Sequence, residues 1–221
     1  MPRPERLVLI TGTGTEVGKT WVAVQLARLL RSNGMTVAAR KPAQSFAEGD
    51  AVTDASLLAD ATSVRVEDVC PPHRWYPVPL APPMAADALG RPRIALDDLV
   101  AEIDWPPGTE VGLVESAGGL RSPIAHDGDS LDLASRLGPD LVLLVADPAL
   151  GVVSNVRLAA GVLAGHTLIV LLNHFDGNDE VHARSLDWLR SVDGLNVLTE
   201  VAEVAAACSA MAPAHPATRA R

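Results

Sequence analysis

A glycine-rich turn between an apolar run and an amphipathic segment limits the folds that this chain can adopt. Residues 12–20 read Gly-Thr-Gly-Thr-Glu-Val-Gly-Lys-Thr and follow the apolar run Leu7-Val8-Leu9-Ile10. After the turn, four apolar side chains recur at the spacing of one helical face, namely Val22, Leu26, Leu29 and Leu30. Strand, glycine-rich turn and helix in this order form a cradle for phosphate, because the backbone N–H groups point inward and the helix N-terminus adds partial positive charge.

The turn matches the phosphate-binding pattern Gly-x4-Gly-Lys-[Ser/Thr] with one departure. Thr13 stands where the pattern has its first glycine, and Gly12 and Gly14 lie on either side of it. We expect Lys19 to reach the outer phosphates of a nucleotide and the Thr20 hydroxyl to bind magnesium. The residues predicted to contact the nucleotide here are Gly14, Thr15, Glu16, Val17, Gly18, Lys19, Thr20 and Trp21. The alternative is an ordinary glycine-rich turn with a surface lysine.

Composition narrows the class of protein. The chain has 221 residues, of which 48% are hydrophobic, as expected for a single α/β domain with a buried core. The net charge of -9 and the absence of a Lys/Arg run argue against nucleic acid or an anionic membrane as a partner. Cys70 and Cys208 lie far apart in the sequence, which favours a reducing compartment over a disulfide framework or a zinc site.

The sequence also predicts a cytoplasmic protein. Residues 1–6 lack the apolar segment of a signal peptide and lead directly into the first apolar run. The longest apolar stretch, Leu141 to Val145, is far shorter than the about 20 residues that a membrane span needs.

Apolar runs alternate with amphipathic segments along the chain. The runs predicted as strands are residues 7–11, 36–40, 111–115, 141–146 and 167–172. The segments predicted as helices are residues 19–33, 51–61, 95–103, 130–137, 151–164 and 179–191. Most of these strands are continuously apolar, as in parallel strands that are buried on both faces. The predicted fold is therefore α/β, a P-loop NTPase-like parallel sheet with helices on both faces in a single domain.

Two segments depart from this alternation. Residues 71–83 are proline-dense and are expected to form neither a helix nor a central strand. They are either a structural crossing loop or a loop that packs over a ligand. The stretch from residue 204 is rich in alanine and proline. We therefore expect one folded domain over residues 1–203 and a largely disordered tail over residues 204–221.

Polar residues follow predicted strands at the sheet edge where open α/β folds bind ligands. Lys41 closes the second strand and would add a positive charge beside Lys19. Glu115 ends the third strand and is placed to bind magnesium directly or through water. The residues after it that are predicted to approach the nucleotide are Ser116, Ala117 and Gly118. The alternatives are that Lys41 is a solvated lysine at a strand end and that Glu115 only caps a turn.

Three further candidates carry a weaker signal. Asp54 begins a predicted helix and by itself is typical of an N-cap. Asn173 follows the last predicted strand, and its amide can both donate to and accept from an adenine edge. A helix start at Gly151, Val152, Val153 and Ser154 offers backbone N–H groups to a carboxylate, although an unoccupied helix start fits equally well.

Together these motifs resemble those of the dethiobiotin synthetase family. The turn up to Thr20 resembles that family's phosphate loop, including the threonine where other loops have glycine. Further matches follow in the same order: Lys41-Pro42-Ala43-Gln44-Ser45, the proline-rich stretch that runs to Ala86, Val114-Glu115-Ser116-Ala117-Gly118-Gly119, and Leu150-Gly151. Asp54 falls where the family has its acidic magnesium ligand. The resemblance covers about residues 7–190.

The resemblance implies an ATP- and magnesium-dependent cyclo-ligase of biotin biosynthesis. The family joins CO2 to 7,8-diaminononanoate through a carbamate and a carbamic-phosphoric anhydride, and it closes a cyclic urea with release of ADP and phosphate. Carried over to this chain, the catalytic residues are Lys41, Lys19, Thr15 and Ser45, and the magnesium ligands are Thr20, Asp54 and Glu115. The resemblance also implies a homodimer, in which Ser45 and residues 151–154 bind the diamine.

The departures from the family pattern keep alternatives open. Phe46 and Ser116 replace glycines, Ser154-Asn155 stands where Asn-His is usual, and Val201-Ala202 lacks the Ile-Pro that closes the adenine pocket. An ordered final helix is not expected. The chain is therefore also compatible with an ATP-binding paralogue without efficient ligase activity. A cobyrinate-type amidoligase would need an added domain, and a partner-switching P-loop ATPase would need a lysine where Gly14 stands.

Overall fold

The computed structural model describes residues 3–213. This part of the chain contains ten strands and nine α-helices. The strands are β1 (Arg6–Gly12), β2 (Val37–Arg40), β3 (Gln44–Ser45), β4 (Trp75–Tyr76), β5 (Val111–Glu115), β6 (Pro123–Ala125), β7 (Gly128–Asp129), β8 (Leu141–Ala146), β9 (Leu168–Leu172) and β10 (Val197–Leu198). The helices are α1 (Lys19–Ser32), α2 (Asp54–Thr62), α3 (Val66–Val69), α4 (Pro82–Ala88), α5 (Leu96–Ala101), α6 (Ser130–Leu137), α7 (Val152–Val162), α8 (Glu180–Asp187) and α9 (Val201–Ala210). A 3-10 turn at Pro72–Arg74 and a π-helical turn at Trp188–Val192 add to them.

Six strands form one parallel sheet in the order β10-β9-β8-β1-β5-β2. The central strand β1 places Ile10 beside Leu143 of β8 on one side and beside Glu115 of β5 on the other. Every residue of β1, β5 and β8 is buried, which explains their continuously apolar sequences. The carboxyl ends of β1, β5 and β2 therefore meet at one edge of the sheet.

Helices cover both faces of this sheet. Because side chains alternate along a strand, Val8 and Ile10 pack with α1, α2 and α9, whereas Leu7 and Leu9 pack with α4, α5 and α6. A third apolar cluster joins β8 and β9 to α7 and to the π-helical turn. The predicted α/β fold, a parallel sheet with helices on both faces, is confirmed.

The five predicted strands and six predicted helices are all present, with bounds that differ by up to four residues. The largest difference is at the end of α8, which stops at Asp187 where the π-helical turn begins. Among the helix starts, the largest shift is at α2, which begins at Asp54 because Thr53 caps it. The Ser56 N–H donates to the Thr53 hydroxyl at 3.3 Å, and the Thr53 N–H donates to Ser56 Oγ at 2.9 Å. This reciprocal cap places Asp54 in the first turn of the helix.

The expectation for residues 71–83 was wrong in part. This segment contains the 3-10 turn and strand β4, and Pro82 and Pro83 are the first residues of α4. Proline is tolerated in a first helical turn because the N–H that it lacks would have no partner within the helix. Strand β4 pairs with β3 in a separate two-stranded sheet, outside the central sheet.

The predicted boundary at residue 204 was also wrong, and so was the expectation that an ordered final helix is missing. Helix α9 crosses that boundary and buries Val204, Ala205 and Cys208 in the same apolar cluster as α1. The alanine-rich sequence suits a helix, since alanine has the highest helix propensity. The disorder predicted for residues 214–221 falls outside the described residues. Within residues 3–213, no helix is both long enough and apolar enough to cross a membrane.

Candidate active site

The glycine-rich turn connects β1 to α1, as the sequence predicts. Gly18 caps α1 with a φ of 88°, a left-handed conformation that favours glycine. Lys19 begins the helix, and its Nζ donates to the Gly14 carbonyl 2.9 Å away, so the side chain folds back along the turn. Burial and the nearby charge of Lys41 lower the pKa of Lys19 to about 8. An anionic phosphate would offset both effects by supplying an opposite charge.

Three oxygen-bearing side chains from separate elements converge beside this turn. Thr20 Oγ1 lies 2.9 Å from Asp54 Oδ1 and 2.7 Å from Glu115 Oε1. Thr20 belongs to the first turn of α1, Asp54 opens α2, and Glu115 ends β5. The three residues predicted as magnesium ligands therefore lie together.

Lys41 bridges the two carboxylates of this cluster. Its Nζ lies 2.6 Å from Asp54 Oδ2 and 2.6 Å from Glu115 Oε1, and its side chain is buried. Burial alone would lower the pKa of Lys41, but Glu115 and Asp54 outweigh burial and raise the pKa above its usual value. Burial likewise favours a higher pKa for Asp54, and the ion pair with Lys41 brings that pKa below its usual value. Lys41 is thus a buried cation held within reach of the turn.

The oxygen atoms of the cluster suit a hard divalent cation. Glu115 Oε2 is buried and has no hydrogen-bond partner among the described residues, which leaves one carboxylate oxygen for a ligand. Magnesium prefers oxygen donors and is commonly held by one or two carboxylates together with phosphate and water. Residues 3–213 contain no group of three or more His, Cys, Asp or Glu side chains that could hold a metal ion. The candidate set therefore consists of two carboxylates and the Thr20 hydroxyl.

A cavity of about 910 Å³ opens above this cluster. Twelve of the predicted site residues line it: Thr15, Glu16, Gly18, Lys19, Thr20, Trp21, Lys41, Ser45, Asp54, Glu115, Ala117 and Gly118. Ser45 Oγ is buried and has no hydrogen-bond partner among the described residues, so it is available to a ligand. The volume is within the usual range for small-molecule sites.

Several predicted residues lie behind this cavity and support it. The Val17 carbonyl accepts a hydrogen bond from Asn173 Nδ2 at 3.0 Å, so this buried asparagine holds the turn in place. Its predicted contact with adenine stays a prediction. The Ser116 hydroxyl, which replaces a glycine of the family pattern, contacts Thr11 Oγ1 at 3.1 Å and is buried against β1.

The helix start at residues 151–154 does not line this cavity within the single chain. Gly151 caps α7, and the Val152 N–H already donates to the Ala149 carbonyl at 3.0 Å. Val153 and Ser154 are therefore better candidates for binding a carboxylate than Val152.

Sequence reasoning missed part of the cavity wall. The lining residues that were not among the predicted site residues are Phe46, Ala47, Asp50, Pro79, Leu80, Ala81, Pro82, Ser122 and Pro123. Proline density was the available signal for residues 79–82, which lie against the cavity as the ligand-covering alternative requires. Gln44 was also missed as a support. Its Oε1 accepts from the Ala55 N–H at 3.0 Å and so anchors the helix turn that carries Asp54.

Comparisons with known proteins identify the family to which this chain is similar. A family model described as an AAA domain matches residues 6–207. The ATP-dependent dethiobiotin synthetase of Caulobacter vibrioides is 39% identical over 170 residues, which cover 74% of this chain and 76% of that protein. The enzyme of the same name from Rhodococcus jostii is 34% identical over 203 residues, which cover 88% of this chain and 85% of that protein.

Solved structures with low sequence identity share the fold. A plasmid partition protein from Borrelia burgdorferi has a TM-score of 0.56 at 10% identity and covers 93% of this chain and 96% of its own. The septum site-determining protein MinD from Pyrococcus horikoshii has a TM-score of 0.51 at 18% identity and covers 88% of this chain and 79% of its own. These two likenesses concern the fold alone. The sequence matches carry the assignment, and by them this chain belongs to the ATP-dependent dethiobiotin synthetase family.

Proposed function

We propose that this chain catalyses the ATP-dependent, ring-closing carboxylation of 7,8-diaminononanoate with CO2, which yields dethiobiotin, ADP and phosphate. Membership of the family supports the overall reaction. The observation that carries the proposal is the buried Lys41, which contacts Asp54 and Glu115 beside the glycine-rich turn. A second buried cation at that point suits a reaction in which two anions must meet.

The proposed chemistry has three steps. One amine of the substrate combines with CO2 to give a carbamate, which is an anion and a poor acylating agent. A carbamate oxygen attacks the γ-phosphorus, ADP leaves, and a carbamic-phosphoric anhydride forms. The second amine attacks the carbonyl carbon, the C–O bond to phosphate breaks, and the cyclic urea closes. The released phosphate therefore keeps one oxygen of the carbamate.

The residues of the cavity divide these tasks. Lys19 and the backbone N–H groups of the turn hold the triphosphate. Lys41 stabilises the negative charge that the carbamate and the transferring phosphoryl group share in the transition state. Thr15 and Ser45 hydrogen-bond the carbamate or the amines, and the unpartnered, buried Ser45 Oγ supports that role.

Magnesium fits the same proposal. Thr20, Asp54 and Glu115 would hold it, as the unpartnered Glu115 Oε2 supports. When bound, magnesium neutralises charge on the phosphate oxygens of ATP.

We also propose a homodimer in which the α7 start of a second copy binds the substrate's carboxylate. Helix α7 and the residues before it expose large apolar side chains: Leu150 is 91% exposed and Leu158 is 71% exposed. Exposed apolar surface of this kind often marks an association face. Residues 151–154 lie outside the cavity of their own chain, which also favours a contribution from the other copy.

A product assay tests the proposed function. The purified chain is incubated with ATP, magnesium, 13C-bicarbonate and the diamine, and dethiobiotin is measured by mass spectrometry. We expect 13C-labelled dethiobiotin, and none when ATP or the diamine is left out.

The Lys19→Ala variant is the site control for this assay. It should be inactive and should bind ATP at least about tenfold more weakly, because a charged hydrogen bond contributes roughly 1.5–3 kcal/mol. ATP hydrolysis by the native chain without dethiobiotin would instead favour the ATP-binding paralogue or a partner-switching ATPase.

A further inference from the structure

A large aromatic side chain at the rim of the cavity has no role in the steps proposed above. Trp21 follows Thr20 in the first turn of α1, lines the cavity, and is 49% exposed. Covering such an apolar side chain is favourable, so an exposed Trp at the mouth of a binding cavity is suited to contact a ligand.

A second ring lies beside Trp21. The ring centroids of Trp21 and His174 are 5.8 Å apart, and the ring planes are tilted by 39°. His174 follows Asn173 at the end of β9 and has a φ of 59°, a left-handed conformation that is uncommon for residues other than glycine. The chain therefore accepts a strained backbone at the residue that brings this ring to Trp21.

The aromatic pair adjoins the glycine-rich turn itself. A Cβ atom added to Gly18 would lie 2.1 Å from Asn173 Nδ2 and 3.7 Å from His174 Nε2. Residues at the end of β9 thus pack directly on the last glycine of the turn. A ligand bound in the turn would extend past this pair on one side.

The order of the strands indicates which end of a bound nucleotide would extend past the aromatic pair. Strands β5 and β2 lie on one side of β1, and β8 and β9 lie on the other. Glu115, at the end of β5, and Lys41, which follows β2, form the charged cluster on the first side. The terminal phosphate belongs with those charges, so the opposite end of the nucleotide extends toward β9, where His174 lies.

We propose that Trp21 and His174 form a stacking surface for the base of the bound nucleotide. This inference rests on the proposed function, because it assumes that the turn binds a nucleotide triphosphate. Stacking on an aromatic ring needs only the flat face of the base, and it contributes binding free energy without reading the base edge.

The test compares a ligand that has a base with one that lacks it. Binding of ATP and of inorganic tripolyphosphate, both with magnesium, is measured by titration calorimetry for the native chain and for Trp21→Ala. We expect the variant to bind ATP about 5- to 150-fold more weakly and to bind tripolyphosphate with about the native affinity. Trp21→Phe keeps an aromatic face and should retain most of the ATP affinity.

Trp188 provides a matched control. It is 48% exposed, lies in the π-helical turn, and has the Arg157 guanidinium over its ring at 5.7 Å. Trp188→Ala should leave both affinities unchanged. In addition, ATP should quench tryptophan fluorescence in the native chain and in Trp188→Phe, and this quenching should be largely lost in Trp21→Phe.

The outcomes separate this inference from the proposed function. Native ATP affinity in Trp21→Ala would overturn the stacking role, and so would a parallel loss of tripolyphosphate binding, which would indicate a structural role. If the native chain binds neither ATP nor tripolyphosphate, the proposed function fails together with the inference.

Discussion

At the scale of single residues, the proposed chemistry depends on Lys41. This lysine is buried between Asp54 and Glu115, at 2.6 Å from each, and it lies outside the glycine-rich turn. A cation in this position can stabilise charge that develops during phosphoryl transfer, and we expect the affinity for ATP to come mainly from Lys19 and the backbone of the turn.

Lys41→Gln should lower kcat by roughly 10²–10³ and leave the ATP affinity within about threefold of the native value. The substitution also leaves Glu115 without its cation, so we expect a loss of stability of about 3–5 kcal/mol. Calorimetric binding and single-turnover rates are therefore measured together with thermal unfolding.

Arg28→Gln is the matched control for Lys41→Gln, because it removes an exposed ion pair with Asp60 instead of a buried one. It should change none of these quantities appreciably. A Lys41→Gln variant that loses ATP affinity but keeps its kcat would assign Lys41 to nucleotide binding.

At the scale of elements, the end of β9 packs against the glycine-rich turn and holds it in place. Gly18 has a left-handed backbone, and a side chain there would overlap Asn173, whose amide holds the Val17 carbonyl. Gly18→Ala should therefore lower the free energy of unfolding by more than the roughly 1–2 kcal/mol that a left-handed backbone costs a residue with a side chain. It should also weaken ATP binding.

Gly34→Ala is the control for this substitution, since Gly34 has a φ of 86° and no atom within 4 Å of an added Cβ. Gly34→Ala should lower the free energy of unfolding by the backbone strain alone, and it should bind ATP with native affinity. Denaturant unfolding and ATP titration of both variants measure the difference. Equal losses of stability in the two variants would contradict the coupling of the turn to β9.

A second element-scale contact anchors the proline-dense segment. Arg74 donates to Glu102 through Nε at 2.8 Å and through Nη2 at 2.7 Å. Burial favours a higher pKa for Glu102, but the hydrogen bonds from Arg74 and His73 outweigh it and lower the pKa. A carboxyl group whose pKa is lower in the folded state stabilises the fold above its unfolded pKa, and this contribution is lost as the pH falls through the folded pKa.

Glu102→Gln should thus reduce the free energy of unfolding at pH 7 by about 1 kcal/mol, a modest value because the pair is partly exposed. The difference between the variant and the native chain should shrink as the pH falls below about 4. Urea unfolding at several pH values measures it. A difference that stays constant from pH 7 to pH 3 would contradict the role of this ion pair.

At the scale of the whole molecule, the sequence predicts the layout of the site better than its contacts. Periodicity identifies the parallel strands, and strand ends identify Lys41 and Glu115 because all parallel strands finish at one edge. The position of Gln44 against α2 and the cavity wall at Ser122 are not predictable in this way, because they depend on how distant segments pack. Helix α9 was missed because alanine-rich composition near the end of a chain also suits disorder.

The whole-molecule proposal of a homodimer is tested on the exposed face of α7. Leu158→Glu places a charge where a second copy would pack, so we expect a monomer by analytical ultracentrifugation and a strong loss of activity with the diamine. Val181→Glu introduces the same charge at an exposed position of α8. It should leave the oligomeric state and the activity with the diamine unchanged. A monomeric native chain with full activity would refute the contribution of a second copy.

The central claim is that ATP activates a carbamate oxygen, and an isotope measurement tests it most directly. The native chain is supplied with 18O-labelled CO2, ATP, magnesium and the diamine, and the released phosphate is analysed by mass spectrometry before the label exchanges with water. We expect one 18O atom in each phosphate, in step with the dethiobiotin formed, because ring closure breaks the bond between the carbonyl carbon and that oxygen. Phosphate without 18O, released while dethiobiotin forms, would contradict the account.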